Sequence, residues 1–103
     1  MGQFDVYRND NASSRRSVPY LLDVQTDFLE LLATRVVVPL VLASEMRAAQ
    51  RLNPCFEIEG MRVVMSTAEL AGVPRRLLKD RVLSLQDHRD EIMAALDFLF
   101  IGF

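Results

Sequence analysis

Arg35-Val36-Val37-Val38-Pro39 decides the fold. Consecutive β-branched residues lose side-chain freedom in a helix and pack well on a pleated surface. The run is apolar on both faces, which predicts a central strand covered from both sides. Pro39 has no N–H to donate, so it is expected at the strand's end or on an edge.

Toward the N-terminus, Tyr20-Leu21-Leu22-Asp23-Val24-Gln25 reads as a second strand with Leu22 and Val24 on one face. Phe4 and Val6 alternate around Asp5 and are followed by Tyr7, a short first strand. Residues 8–17 lie between, with Asn9-Asp10-Asn11 and Ser13-Ser14. That is turn chemistry without periodicity, expected to form a mobile loop. Toward the C-terminus, residues 40–52 (LVLASEMRAAQRL) are helical by composition. Asn53-Pro54 breaks them. Phe56–Ile58, Glu59-Gly60 and Met61–Met65 then spell a hairpin. Val73-Pro74 closes that region, and residues 75–85 alternate too weakly to assign.

The last stretch reads as a helix. Ser84 or Asp87 can cap it, each standing three positions before an acidic residue. Asp87, Asp90 and Glu91 lie in the first turns, where the helix dipole favours negative charge. Ile92, Leu96, Leu99 and Phe103 repeat at helical spacing. Phe98, Leu99, Phe100, Ile101 and Phe103 then crowd the end with only Gly102 between them. Successive helical residues turn by about 100°, so these side chains cannot share one face. Some meet a second surface, another subunit or a partner. The alternative is a terminus tucked inside its own core, against the tendency of chain ends to lie at the surface.

With 103 residues, half of them hydrophobic and a quarter charged, the chain is expected to form a single soluble domain over residues 1–103. Its formal net charge of −2 opposes a role centred on nucleic-acid backbones, despite small basic clusters at Arg15–Arg16, Arg47–Arg51 and Arg75–Arg81. The lone Cys55 cannot form an internal disulfide, which fits a reducing compartment. No signal-peptide pattern opens the chain. No apolar stretch approaches the ~20 residues that span a bilayer. A cytoplasmic protein without membrane contact is expected.

Catalytic chemistry is sparse. One histidine, His88, and one cysteine make a poor metal-ligand set. His88 reads as a solvated surface residue and Cys55 as a buried, inert thiol. Asp27 and Glu30 resemble an acid pair but read as a solvated turn. The glycines at 2, 60, 72 and 102 form no phosphate loop. No catalytic residue, metal or cofactor is expected, and the chain reads as a binding protein rather than an enzyme.

Several segments, in order and nearly end to end, resemble the CcdB toxins of bacterial toxin–antitoxin operons. They are Gln3-Phe4-x-Val6-Tyr7, Leu22-Asp23-Val24-Gln25-Thr26-Asp27, and Arg35-x-Val37-Val38-Pro39-Leu40. Leu52-x-Pro54, the hairpin to Met65, Thr67 and Val73-Pro74 continue the match. His88-Arg89 through Ile92 to Phe100-x-Gly102-Phe103 completes it. The resemblance implies a mainly β fold: an SH3-like barrel of one bent antiparallel sheet plus a small second sheet, with a C-terminal α-helix. It implies a homodimer whose C-terminal ends meet near the two-fold axis. Its target would be the A subunit of DNA gyrase, trapped while the DNA is cleaved. A CcdA-type antitoxin with a disordered C-terminal segment would neutralise it, and operator DNA would be met only through the antitoxin complex.

The same resemblance assigns gyrase binding to Phe28, Leu29, Asp97, Phe100, Ile101, Gly102 and Phe103. It departs at two of them: the best-known family pattern has Trp at the position of Ile101 and Asn at that of Asp97. Antitoxin binding is assigned to Arg8, Arg15, Arg16, Glu45 and Arg47, on polar segments that suit a partner folding on binding. These segments lie away from the C-terminus in sequence, so the two kinds of binding are expected to be partly separable. Over 40–52 the family has an irregular region, against the helical composition, and the family pattern is followed.

Overall fold

The fold comes from a computed structural model that describes residues 2–102. Seven antiparallel strands form one curled sheet: β1 Asp5–Arg8, β2 Tyr20–Asp23, β3 Thr34–Leu42, β4 Cys55–Ile58, β5 Met61–Met65, β6 Ala71–Pro74 and β7 Arg81–Ser84. The helix α1, Arg89–Ile101, closes the chain. The main path runs β4-β5-β3-β2-β1-β7, and β6 joins β3 off that path.

β3 is the central strand that Arg35–Val38 predicts, and it forks. One edge pairs with β2, from Tyr20↔Leu40 to Asp23↔Val37. The other edge serves two partners. Thr34–Val37 pair with β6, and Leu40–Leu42 pair with β5. The resemblance implies a small second sheet, but all seven strands belong to one sheet, which forks at β3.

Pro39 sits in the middle of β3, not at its end, and the fork explains why it is tolerated. Val36 O accepts from Val24 N and Leu42 N donates to Ser17 O, so even-numbered residues turn their backbone toward β2. Odd-numbered residues face the fork, where Pro39 O accepts from Ser66 N. The missing N–H falls where β6 has ended and β5 has not begun.

The helix that composition suggests over 40–52 does not form. Leu40, Val41 and Leu42 continue β3, a 3-10 turn covers Ala43–Glu45, and the rest is irregular. Leu40 and Val41 are buried, and burial against β5 outweighs helix propensities of a few tenths of a kcal/mol per residue. The hairpin forms as expected. Glu59 and Gly60 both have positive φ, the signature of a tight type I′ turn.

One face of the sheet carries Phe4, Val6, Tyr20, Leu22, Val38, Leu40, Phe56, Ile58, Val63 and Met65. Ile92, Ala95 and Leu96 of α1 cover them. Leu99 is half-buried, and Phe103 lies outside the described residues. The opposite face holds a smaller cluster of Tyr7, Val37 and Leu78, with Leu21 and Val73. Neither Ser84 nor Asp87 caps α1. Ser84 Oγ accepts from Gln86 N at 3.1 Å, bracing a 3-10 turn over Gln86–His88 that delays the helix. His88 then occupies the cap position without a side-chain bond. At the other end Gly102 has φ +80 and donates to Phe98 O at 3.0 Å, a left-handed exit that glycine adopts without steric cost.

Candidate functional site

The loop between β2 and β3 starts from a buried ion pair. Asp23 and Arg35 are both shielded from solvent. Arg35 Nε and Nη2 each lie 2.8 Å from Asp23 Oδ2, and Nη2 also donates to Gln25 O at 3.2 Å. Burial pushes the Asp23 carboxyl up, while Arg35 and the Gln25 N–H hold it down. Gln25 extends the frame. Its Nε2 donates to Leu29 O and Thr34 O, and its Oε1 accepts from Val36 N.

On this frame stands an apolar projection. Phe28 is 98% exposed, Leu31 93%, and Leu29 and Leu32 47% each. Asp27–Leu29 form a 3-10 turn capped by Thr26 Oγ1. Asp27 is no half of an acid pair: its Oδ1 accepts from Gln3 N at 2.9 Å and lies 3.6 Å from Arg35 Nη2. Phe28 and Leu29 are thus presented to solvent, as a contact role requires. Leu31 and Leu32 were not singled out by sequence. The available signal was four large apolar residues within Phe28–Leu32, a density no single face accommodates.

The second set occupies the last turn of α1. Phe100 is 68% exposed and Ile101 60%, and Asp97 and Gly102 are also exposed. The surplus apolar residues therefore do not all fold into the chain's own core. Phe103 lies outside the described residues. Phe98 is half-buried under Arg51, whose guanidinium carbon stands 4.5 Å from the ring centre.

The residues assigned to antitoxin binding are heterogeneous. Arg15, Arg16, Glu45 and Arg47 are exposed. Arg8 is exposed but already engaged: it makes a two-pronged bond to Glu59 at 2.8 and 2.7 Å and meets Asp80 at 3.1 Å. Tyr20 Oη donates to the same Glu59 at 2.6 Å. The Arg8 and Tyr20 bonds hold the Glu59 carboxyl at about 2. Burial and the Glu59 charge push the Tyr20 hydroxyl up to about 12. The loop after β1 folds on itself through Asn9 to Ser14 Oγ and Val18 O, and through Asn11 to Ser13. Residues 41–52 are remote from the C-terminus only in sequence, since Arg51 rests on Phe98.

On the smaller-cluster face, a trough of about 550 Å³ runs over Val18, Leu21, Pro39, Val73 and Leu77. His88 is half-exposed and sets its ring edge-on to Phe56 at 5.2 Å. Cys55 is half-buried, less enclosed than expected. Among the described residues no cluster of His, Cys, Asp and Glu could hold a metal, and no helix is long and apolar enough to cross a membrane.

The fold recurs in a solved structure described as an endoribonuclease in complex with its cognate antitoxin from Mycobacterial species. The superposition has a TM-score of 0.77 at 16% identity, covering 100% of this chain and 98% of that one. At that identity the likeness establishes the fold alone. The sequence itself is matched by the family described as CcdB protein over residues 3–102, so the chain belongs to the CcdB family.

Proposed function

We propose that the chain is the toxin of a toxin–antitoxin pair, a non-enzymatic homodimer that binds the A subunit of DNA gyrase and holds it on cleaved DNA. The observation that carries this reading is the exposure of Phe28, Phe100 and Ile101 at the positions where the family places gyrase contacts. Large contiguous apolar patches are rare on monomeric proteins and mark contact sites. Family membership over residues 3–102 supports the toxin role. The solved neighbour, a toxin-system enzyme held by its antitoxin, supports an antitoxin partner. A CcdA-type antitoxin would act through Arg15, Arg16, Glu45 and Arg47 in the cytoplasm, and operator DNA would be met only in its company.

A second reading rests on Ile101 and Asp97. An aliphatic residue offers no ring face to a cationic side chain, and a carboxylate replaces a neutral amide. The chain would then be a non-poisoning antitoxin partner and operon co-regulator. Induction in a host with wild-type gyrase separates the two. Growth arrest with accumulation of cleaved DNA is expected. Normal growth at full expression favours the second reading. RNA cleavage that survives repurification would replace both with the activity named for the solved neighbour.

A further inference from the structure

We infer that the β4–β5 hairpin is a strap whose tip Glu59 latches onto Arg8 and Tyr20, and that this latch sets how readily one end of the core opens. The inference is independent of what the toxin binds.

The sequence at the turn poses the question. Glu59 and Gly60 both hold positive φ, 52° and 79°. Tight turns of this kind favour Asn, Asp or Gly at the first position, because those residues reach the left-handed region most easily. A glutamate there is a strained choice. Its side chain supplies the compensation. Arg8 and Tyr20 stand opposite each other across the β1–β2 pair. Together they present three donors to one carboxylate: Arg8 Nη1 and Tyr20 Oη to Oε1, and Arg8 Nη2 to Oε2. Asp80 holds Arg8 from another side, 3.1 Å from its Nε. A solvated ion pair alone contributes little. Here the buried Tyr20 ties the pair to the core, since its hydroxyl has no other partner among the described residues.

The two halves of the hairpin are held differently. Main-chain atoms fasten its base. Met65 N donates to Pro54 O, Asn53 Nδ2 donates to Met65 O, and Val63–Met65 pair with Leu40–Leu42. Toward the tip, Glu57 pairs with Arg62 and Ile58 with Met61, and no further strand joins them among the described residues. β3 lies between β5 and β2 in the sheet, so the Glu59 bonds join strands that share no ladder. They close the curl with side chains where the backbone leaves it open. Phe56 and Ile58 of the strap lie in the main core beside Tyr20. Lifting the tip would bare apolar core next to the free edge of β4, a combination that templates association between chains.

Amide exchange in the full chain tests the latch, read at Ile58 and Met61 beside the turn and at Leu22 and Val38 in the central sheet. The variants are Glu59→Asn, Arg8→Met, Arg8→Lys and the double Arg8→Met with Glu59→Asn. Asparagine suits the turn better than glutamate but is too short to take the two-pronged bond. Exchange at Ile58 and Met61 should nevertheless quicken about tenfold in Glu59→Asn and in Arg8→Met, the scale of a charged hydrogen bond. The double variant should be no faster than either single one, because both break the same contact. Arg8→Lys should fall between, since an ammonium keeps the charge but not the fork. Leu22 and Val38 should stay at the parent rate. Parent-like or slower exchange at the tip in Glu59→Asn overturns the latch and leaves turn preference in control. Additive effects in the double variant overturn the coupling of Arg8 to Glu59. Equal acceleration at Leu22 and Val38 shows opening of the whole sheet and overturns the strap.

Discussion

Arg51 stacks its guanidinium on Phe98, joining the irregular segment after β3 to the last turns of α1. Arg51 holds a positive φ of 70°, which an L-residue adopts only where its surroundings compensate. The pair links residues 43–52, which carry Glu45 and Arg47, to the helix that presents Phe100 and Ile101. A partner on either region meets a surface braced by the other. Arg51→Ala should cost about 0.5–1 kcal/mol, the range for an exposed cation–π pair. A melting scan should register a fall of a few degrees, and Arg51→Lys should lose less. An unchanged melt would dismiss the link.

The network of Arg8, Glu59 and Tyr20 gives the fold a pH signature at both ends of the scale. Glu59 titrates at about 2 in the folded chain, below an ordinary glutamate, so its ionised form is favoured by folding. Its contribution is present at neutral pH and is lost as pH falls from about 4.3, the unperturbed value, through 2. Tyr20 has the opposite sign. Its hydroxyl is raised to about 12, so its contribution is present below about 10 and is lost as pH rises through 12. Burial, joined by the negative charges of Asp5 and Asp23, also raises Tyr7. Tyr20→Phe should therefore shrink the alkaline loss without abolishing it, and Glu59→Gln should flatten the acid side. Urea midpoints measured from pH 2 to 12 check both, and parallel profiles for parent and variants would contradict the assignment.

Arg35 and Asp23 call for a double-mutant cycle. Removing one partner leaves the other charged and buried, at a cost of about 3–5 kcal/mol. Arg35→Met and Asp23→Asn should each be severely destabilised by denaturant unfolding. Combining Arg35→Met with Asp23→Asn should recover much of the loss, because two buried charges are expensive to desolvate even when paired. Single variants within 1 kcal/mol of the parent would show that the pair is dispensable.

What sequence revealed here tracks how local each determinant is. The hairpin turn at Glu59-Gly60 depends on two adjacent residues, and the central strand on three β-branched neighbours. Both are read from a short window. The misread stretch, residues 40–52, has helical composition, but Val41 and Leu42 answer to Val64 and Val63 across the sheet. Pro39 is misplaced for the same reason, since only the fork between β5 and β6 creates a vacancy for it. At the candidate site, Phe28 and Phe100 are both exposed. Leu31 and Leu32 were missed because exposure of an apolar residue depends on what packs over it. The engagement of Arg8 likewise depends on Glu59, which lies 51 positions away.

The C-terminal tip yields the final prediction. Ile92, Ala95 and Leu96 bury α1 against the sheet, whereas Phe100 and Ile101 face solvent. Deleting residues 101–103 should therefore leave the melting temperature within a few degrees of the parent and abolish growth arrest. Gly102→Val tests direction rather than presence. At φ +80 a β-branched side chain is strained, although no atom lies within 4 Å of the added Cβ. The chain should leave the helix along another path and carry the last residue with it, so toxicity should fall as in the deletion. Ile101→Trp restores an aromatic face at an exposed position and should raise gyrase affinity if a cationic side chain waits there. Growth inhibition on induction, read beside a thermal melt of each variant, distinguishes the outcomes. A truncated chain that arrests growth as well as the parent removes the tip from the site. A truncated chain that fails to fold makes the terminus part of the core.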